Sequence, residues 1–395
     1  MKKLLLASTA LAFSAGMALA DEVKMGVLLG FTGPIESITP FMADGAEMAW
    51  NEINESGAFL GGQTITSVRA DSTCVDSSAA QAAAERMISS DGIVAIMGAD
   101  CSGVTMAVLQ NVAMSAGVPM ISPSATSPAF TTTESNGLFF RTSPSDARQG
   151  AILAGIVMER GFSEVALTYT NNDYGAGFAN AFEESFLAGG GTITSKVAHE
   201  EARGDYSAEV GQLASAGGDA LVILGYVDGG GSMLRTAYEL GAFENFFIGD
   251  GMYGDEMISA VGEALEGTVG TIPWAEGEGA DKFHAMAEEA GVQGQSSYTR
   301  ESYDAAALLA LAAQAAGEAT PEGIAANILN VANAPGEEIL PGDLARALQI
   351  LADGGEVNYV GATNVELVGP GEAAGSYREY VVEGGEYVTV RFHCY

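Results

Sequence analysis

Short apolar segments alternate with helical segments along most of this chain of 395 residues. A first series of such segments extends from Val23 to Ile121, and a second series of similar length extends from Asp146 to Ile248. Alternation of β-branched runs with helical patterns is typical of βαβ units built around a parallel sheet. Because the same order occurs twice, the sequence predicts an α/β fold with two similar lobes, although the two series share no visible sequence repeat.

The pattern changes after the second series. Helical spacing of apolar residues predicts four further helices, at 281–290, 302–316, 322–331 and 342–352. The tail, Ala373–Phe392, alternates between apolar and polar residues around Gly384-Gly385, which predicts a β-hairpin.

The first twenty residues resemble a secretory signal peptide. Lys2 and Lys3 precede an apolar stretch, Leu4–Ala15, and the small residues of Ala18-Leu19-Ala20 fit a signal-peptidase site with cleavage after Ala20. The apolar stretch is too short for a stable membrane span. We therefore expect a soluble protein that is exported to the periplasm.

The charge of the chain restricts its partners. The sequence has 51 Asp and Glu residues against 16 Lys and Arg residues, which gives a formal net charge of −35. Nucleic acids and anionic membrane surfaces are bound by basic patches, so neither is expected as a partner. We expect a monomer that binds a small molecule.

Export to an oxidising compartment favours a disulfide among the three cysteines. Cys74 and Cys101 both precede residues typical of helix starts, and a bond between them would stabilise the fold by about 3–4 kcal/mol through loop closure. Cys394 is left over near the end of the chain. A metal site is the weaker alternative, because the histidines show no ligand spacing relative to these cysteines.

Motifs for catalysis or for cofactors are scarce. Residues 249–254 match G-x-G-x-x-G, but they follow the last strand of a series, whereas a dinucleotide site requires the first. The sequence has neither a Gly-Lys pair for a P-loop nor a G-x-S-x-G nucleophile motif, and it has three histidines. We expect no cofactor, no metal and no enzymatic activity.

Polar residues follow several predicted strands, at the edge where open α/β sheets bind ligands. Ser102 is expected to cap a helix whose N-terminus favours an anion, although a plain helix cap remains an alternative. The hydroxyl-rich segment 121–128 contains two prolines and is either a ligand-binding loop or a surface turn. Tyr174 and Tyr226 each follow a strand directly, and Asp250 follows Phe246–Ile248 as either a ligand-binding acid or a loop cap.

In their order along the chain, these segments resemble the periplasmic leucine/isoleucine/valine-binding protein family, the solute receptors of ABC importers. The resemblance covers Val23 to Phe392. It is carried by Gly33-Pro34, Cys101–Gly103, Ser122–Thr126, Asp173–Gly175, Asp250-Gly251 and Ala334-Pro335-Gly336.

The resemblance implies a type I periplasmic-binding-protein fold, in which two Rossmann-like lobes joined by three crossings close on a ligand. The crossings are expected near Thr142–Ser145, Ile272–Trp274 and Tyr359–Ala362. The first lobe would comprise residues 21–143 and 274–360, and the second lobe residues 144–273 and 361–395, after a signal peptide at 1–20.

The resemblance also implies roles for individual residues. The α-carboxylate of an amino-acid ligand would meet Ser102 and the segment Ser124, Ala125 and Thr126. Its α-ammonium would meet Asp250. Two tyrosines of the second lobe, Tyr174 and Tyr226, would contact the ligand, and Tyr298 would line its side-chain pocket. The family also carries a disulfide at the positions of Cys74 and Cys101.

One position departs from the family pattern. Members of the leucine-binding type carry an aromatic residue shortly after Gly33-Pro34, where this chain has Ile38 with Glu36 nearby, and Tyr298 replaces a frequent Phe. We expect the chain to bind a branched-chain or other apolar amino acid and to deliver it to an ABC permease. The alternatives are an amide, an aromatic acid or another small zwitterion as ligand, a ligand-sensing receptor domain, or an exported enzyme, which the missing motifs disfavour.

Overall fold

The structure is a computed structural model that describes residues 22–395. The predicted signal peptide lies outside the described residues. Within residues 22–395, no helix combines the length and the apolar character that a membrane crossing requires.

Five parallel strands form the first sheet, in the order β2-β1-β3-β4-β5. They are β1 (Glu22–Leu29), β2 (Thr64–Asp71), β3 (Ile96–Gly98), β4 (Met120–Ser122) and β5 (Phe139–Arg141). The first four strands lie in the first series of segments predicted from the sequence. Strand β5 was not predicted, because its three residues are too few for an alternation pattern to be recognised.

Five further parallel strands form the second sheet in the equivalent order, β7-β6-β8-β9-β10. They are β6 (Glu164–Thr170), β7 (Thr192–His199), β8 (Ala220–Leu224), β9 (Phe246–Ile248) and β10 (Val269–Pro273). Every residue of β8 is buried, as expected for a strand covered by helices on both faces. Strand β10 was not predicted from the sequence, because it contains Gly270 and Pro273.

The remaining strands follow in the last sixty residues. Two short pairs, β11 (Glu337–Ile339) with β12 (Val357–Tyr359) and β13 (Leu367–Val368) with β14 (Glu372–Ala373), lie beside the first sheet. A hairpin of β15 (Tyr377–Glu383) and β16 (Glu386–His393) extends the second sheet in antiparallel fashion from β10. This hairpin confirms the prediction for the tail.

Helices cover both sheets, and their bounds agree with most of the predicted ones. They are α1 (Thr39–Ser56), α2 (Ser77–Arg86), α3 (Ser102–Val108), α4 (Met114–Ala116), α5 (Asp146–Glu159), α6 (Asp173–Ala188), α7 (Ser207–Ala216), α8 (Val227–Glu239), α9 (Asp255–Val261), α10 (Glu278–Ala290), α11 (Thr299–Ala316), α12 (Pro321–Ala332) and α13 (Leu344–Ala352). A π-helical segment, residues 109–113, joins α3 to α4.

The central helix of the first lobe is α11. All residues from Thr299 to Gln314 are buried, which is typical of a helix surrounded by protein on every side. Its alanines allow α1 to approach closely, so that the Trp50 indole donates a hydrogen bond of 3.0 Å to the Ala306 carbonyl. A Cβ atom at Gly45 would lie 2.4 Å from the Thr299 carbonyl oxygen, so α1 requires glycine there.

The chain passes between the two sheets three times. The passages follow β5 at residues 142–145, β10 at residues 274–277 and β14 at residues 374–376. The third passage lies later than the expected Tyr359–Ala362, because residues 361–368 pack against the first lobe. There the Asp304 carboxylate on α11 accepts hydrogen bonds from the backbone N–H groups of Ala362 (2.8 Å) and Thr363 (2.9 Å), and Val365 and Leu367 join the core around α11.

The predicted disulfide is confirmed. Cys74 and Cys101 are bonded and their Cα atoms lie 5.1 Å apart, which ties the loop after β2 to the start of α3. Cys394 is free and exposed.

Candidate functional site

The carboxyl ends of the two sheets face each other across a cleft. Residues from both lobes line it: Ile35, Ile38, Asp100, Cys101, Ser102, Ser124, Tyr174, Tyr226, Asp250, Gly251 and Tyr298. Six of the eight predicted ligand-binding residues are among them. The other two, Ala125 and Thr126, are fully buried in the same loop as Ser124.

The lobes contact each other directly at the cleft. The Tyr298 hydroxyl of the first lobe donates a hydrogen bond to Oδ2 of Asp250 in the second lobe. Beside it, the Ser297 hydroxyl donates to the Tyr253 carbonyl at 3.3 Å. Tyr298 has φ 61°, an uncommon conformation for a bulky residue, in the position that precedes α11. This conformation places the phenol in the cleft.

Ser102 does not cap α3, contrary to the prediction. Cys101 occupies the N-cap position without a side-chain hydrogen bond, and Ser102 is the first helical residue. The Ser102 hydroxyl accepts a hydrogen bond of 3.1 Å from the Ser127 backbone N–H instead. The Ser102 side chain therefore joins the start of α3 to the loop after β4 and does not cap α3.

The loop after β4 is held by its own hydroxyl groups. Ser122 Oγ donates to the Ala99 carbonyl at 2.5 Å and accepts from the Ala125 backbone N–H at 2.9 Å. Ser124 Oγ donates to the Asp100 carbonyl at 3.0 Å. The segment is thus an ordered wall of the cleft, which argues against the alternative of a plain surface turn.

Two hydroxyl groups near this wall have no hydrogen-bond partner within residues 22–395. They are Oγ1 of Thr126 and the phenol oxygen of Tyr226, and both are buried. Buried hydroxyl groups are normally paired, and each of these can donate to an anion. The Tyr226 ring stacks on Tyr174 with ring centroids 5.1 Å apart, which fixes its position.

Asp250 follows β9 and is 2% exposed. Its Oδ1 accepts a hydrogen bond of 2.9 Å from the Tyr174 hydroxyl, which in turn accepts from the Gly251 backbone N–H at 3.1 Å. Burial raises the pKa of Asp250, while the hydroxyls of Tyr298 and Tyr174 oppose that rise. These contacts make Asp250 a fixed acceptor between the lobes.

A second buried carboxylate, Asp146, was not predicted as a site residue. It is the first residue of α5, it is fully buried, and within residues 22–395 neither of its carboxylate oxygens has a hydrogen-bond partner. Burial and the nearby charge of Asp250 raise its pKa well above the usual range. In the sequence, an acid directly after Ser145 is common at the start of a helix, because the helix dipole favours a negative charge there. No local signal distinguishes a buried acid from a solvated one.

Gln149 lies one turn along α5 and is also buried. Its Nε2 atom donates to the carbonyl and to the hydroxyl of Thr271, at 3.2 and 3.1 Å, and its Oε1 atom has no partner among the described residues. Asp146 and Gln149 therefore bring acceptor atoms close to Asp250, and the loop after β4 brings hydroxyl donors to the same region. Since a buried charge is costly unless it is paired, this arrangement suits a ligand with an ammonium group.

Comparison with known proteins agrees with the fold. The family model described as "Periplasmic binding protein" matches residues 22–346. The leucine-, isoleucine-, valine-, threonine- and alanine-binding protein of Pseudomonas aeruginosa is 29% identical over 78% of this chain and 82% of that protein. A chemotactic signal transduction system substrate-binding protein, BasB of Halobacterium salinarum, is 31% identical over 90% of this chain and 86% of that protein.

A solved structure gives the same result in three dimensions. The leucine binding protein LivK of Thermotoga maritima superposes with a TM-score of 0.78 and 26% identity, covering 94% of this chain and 99% of that chain. The predicted type I fold is confirmed by this likeness, as is the family to which the sequence motifs pointed. The chain belongs to the periplasmic binding protein family.

Proposed function

We propose that this chain is a periplasmic solute-binding protein that holds a branched-chain or other apolar amino acid between its lobes and delivers it to an ABC permease. The observation that carries the proposal is the set of polar groups that the two lobes bring to the cleft: the buried carboxyl of Asp250 with Asp146 near it, and the buried hydroxyls of Thr126 and Tyr226. A zwitterion with a small apolar side chain complements this distribution of charge.

The ammonium end of the ligand is assigned to Asp250, with Asp146 close behind it. An ammonium group brings three donors and a positive charge, both of which the carboxylate pair lacks. An aromatic acid without an ammonium group would bring a further carboxylate to this buried pair and no positive charge to compensate it, at a cost of several kcal/mol. The pair therefore favours an amino acid over an aromatic acid.

The carboxylate end is assigned to Ser102, Ser124, Ala125 and Thr126, together with Tyr226. The unpartnered hydroxyls of Thr126 and Tyr226 can donate charge-assisted hydrogen bonds, which are about twice as strong as neutral ones. Tyr174 supports this end indirectly, through its stack with Tyr226.

The side chain of the ligand is assigned to the wall formed by Ile35, Ile38 and Tyr298. The acid at this wall, Asp100, is already paired, since it accepts from the Gly30 backbone N–H at 2.6 Å and from the Ser72 hydroxyl at 2.8 Å. Glu36 is exposed and does not line the cleft. The wall thus offers an aliphatic ligand side chain apolar contacts and no free charge.

We further propose that the lobes are divided at the passages 142–145, 274–277 and 374–376 and rotate about them. A ligand that contacts Ser102 in one lobe and Asp250 in the other stabilises the closed form through contacts that the open form lacks. A binding cleft between two hinged lobes supports transport rather than enzymatic activity. We also propose that the signal peptide is cleaved after Ala20 and that the mature protein is a monomer.

A thermal-shift screen of the chain after residue 20 tests the ligand class. The probes are the twenty amino acids, leucinamide, benzoate and 4-hydroxybenzoate. Ligand at one hundred times its dissociation constant adds about 2.7 kcal/mol, which for a chain of this length corresponds to a rise in Tm of about 3–4 °C. Aliphatic amino acids should give this rise. A rise with benzoate alone, or none with any amino acid, contradicts the proposal.

A further inference from the structure

The loop that forms the carboxylate end of the cleft is held from behind by one buried side chain. Arg141 is the last residue of β5 and is fully buried. Its Nη1 atom donates to two carbonyl oxygens of the loop, those of Ala125 at 3.0 Å and Ser127 at 2.9 Å. The carbonyl between them, that of Thr126, accepts from the Asp146 backbone N–H at 2.9 Å.

These three contacts set the direction of the peptide units in the loop. In a trans peptide, the N–H points opposite to the carbonyl of the same unit. Because Arg141 holds the Ala125 carbonyl, the Thr126 N–H points away from the guanidinium. The next unit is held at both ends, because its Thr126 carbonyl accepts from the Asp146 N–H and its Ser127 N–H donates to Ser102 Oγ at 3.1 Å, at the start of α3.

Arg141 is itself held in place by groups outside the loop. Its Nη2 atom is paired with the Glu372 carboxylate on β14, which also accepts from the Thr131 hydroxyl at 2.6 Å. The Arg141 backbone N–H donates to the Gly371 carbonyl at 3.1 Å. Its guanidinium carbon lies 5.7 Å from the centre of the Phe130 ring. The position of the guanidinium is therefore fixed by contacts that do not involve the loop.

We propose that Arg141 is the positioning residue of the carboxylate subsite: by holding the carbonyls of Ala125 and Ser127, it keeps the donors of Thr126 turned toward the ligand. Lysine cannot replace it, because one ammonium group lacks the rigid fork that reaches both carbonyls and Glu372 together. This inference rests on the proposed function for the identity of the ligand. The orientation of the loop does not depend on which ligand binds.

The first test compares L-leucine with L-leucinamide, which lacks the carboxylate, by isothermal titration. In Arg141→Lys, the ratio of the dissociation constant of leucinamide to that of leucine should fall by about tenfold, the effect of losing about 1.4 kcal/mol of carboxylate-specific binding. The matched control is Arg148→Lys, since Arg148 contacts Gly375 and Cys394 rather than the loop, and it should keep the ratio of the unmodified chain. Equal weakening of both ligands in Arg141→Lys would show a general structural role and overturn the inference.

The second test needs no ligand, so it separates this inference from the proposed function. Amide hydrogen exchange of the full chain after residue 20 should be about tenfold faster in residues 122–127 of Arg141→Lys, with α1 and α11 unchanged. Glu372→Gln, which weakens the anchor of Arg141 without emptying its site, should change exchange in the same segment and in the same direction. Unchanged exchange in both variants, or a uniform rise over the chain, contradicts the inference even if leucine binds. Absence of leucine binding together with the local rise refutes the proposed function alone.

Discussion

Tyr298 of the first lobe donates its phenolic hydrogen to Oδ2 of Asp250 in the second lobe. The contact joins the residue before α11 to the residue after β9, across the cleft in which both were expected to meet a ligand. A hydrogen bond to a charged group contributes about 1.5–3 kcal/mol. The same carboxylate therefore supports lobe closure and, in our proposal, binds the ammonium group.

Removal of this hydroxyl is expected to shift the unliganded protein toward an open form. In Tyr298→Phe, small-angle scattering should give a larger radius of gyration without ligand and the original radius with saturating leucine. The matched control is Tyr253→Phe, whose hydroxyl accepts from Arg378 within the second lobe. An unchanged radius in Tyr298→Phe would show that the contact does not support closure.

Neutralisation of Asp146 is expected to separate stability from binding. Because burial holds the pKa of Asp146 well above its usual range, folding at neutral pH costs either the uptake of a proton or a buried charge. Asp146→Asn removes this cost, so the unliganded protein should become more stable, by about 1–3 kcal/mol. Affinity for leucine should fall by about tenfold or more, because a nearby ammonium group favours ionisation of Asp146 and the amide of the variant cannot ionise. Denaturant unfolding and titration calorimetry measure the two effects. A variant that is both less stable and unchanged in affinity contradicts the assignment.

Stability should depend on pH through Glu301, which is buried on α11 near the first passage. Burial raises the pKa of Glu301 from 4.5 to about 7. A carboxyl whose pKa is higher in the folded state binds protons more tightly there, so its contribution to stability decreases as the pH rises from about 4.5 to 7. Above pH 7, the full pKa shift of Glu301 lowers the free energy of unfolding by about 3 kcal/mol relative to its value below pH 4.5.

The variant Glu301→Gln isolates this contribution. Between pH 5 and pH 8, its free energy of unfolding should decrease less than that of the unmodified chain. Urea unfolding at each pH measures both values. His199, whose pKa burial lowers to about 4, changes stability equally in both proteins and cancels in the difference. Parallel curves for the two proteins would refute the contribution of Glu301.

The disulfide should contribute to stability and to the site together. Replacement of Cys74 and Cys101 by alanine opens a loop with a sequence separation of 27, which costs about 3–4 kcal/mol in the chain-entropy description. Because Cys101 precedes Ser102, affinity for leucine should fall as well. Cys394→Ser, at the exposed free cysteine, is the control and should leave both properties unchanged. A double variant as stable as the parent chain contradicts the expectation.

Much of the fold was predictable from local patterns. Strands such as β6 and β8 and helices such as α5 and α7 have clear periodicity and clear end signals, and the restart of the same order indicated two lobes. The missed strands, β5 and β10, are short or contain Gly and Pro. The third passage lies later than expected because Asp304, distant in sequence, holds Ala362 and Thr363 on the first lobe.

The site was predictable where its residues follow strands, as Tyr226 and Asp250 do. Asp146 and Arg141 escaped notice because their roles come from burial and from partners far away in the chain. Arg141 meets Glu372, more than two hundred residues later, and no local pattern indicates such a pairing. Ser102 was placed in the correct region, but its hydroxyl bonds a distant loop instead of its own helix.

The most direct test of the central claim compares L-leucine with 4-methylpentanoate, which has the same carbon skeleton without the ammonium group. Titration calorimetry at pH 7 should show that loss of the ammonium raises the dissociation constant by about a hundredfold or more, because Asp146 and Asp250 then have no positive charge to compensate them in a cleft that also holds the ligand carboxylate. In Asp250→Asn, the difference between the two ligands should shrink. Equal or tighter binding of 4-methylpentanoate by the unmodified chain would contradict the account.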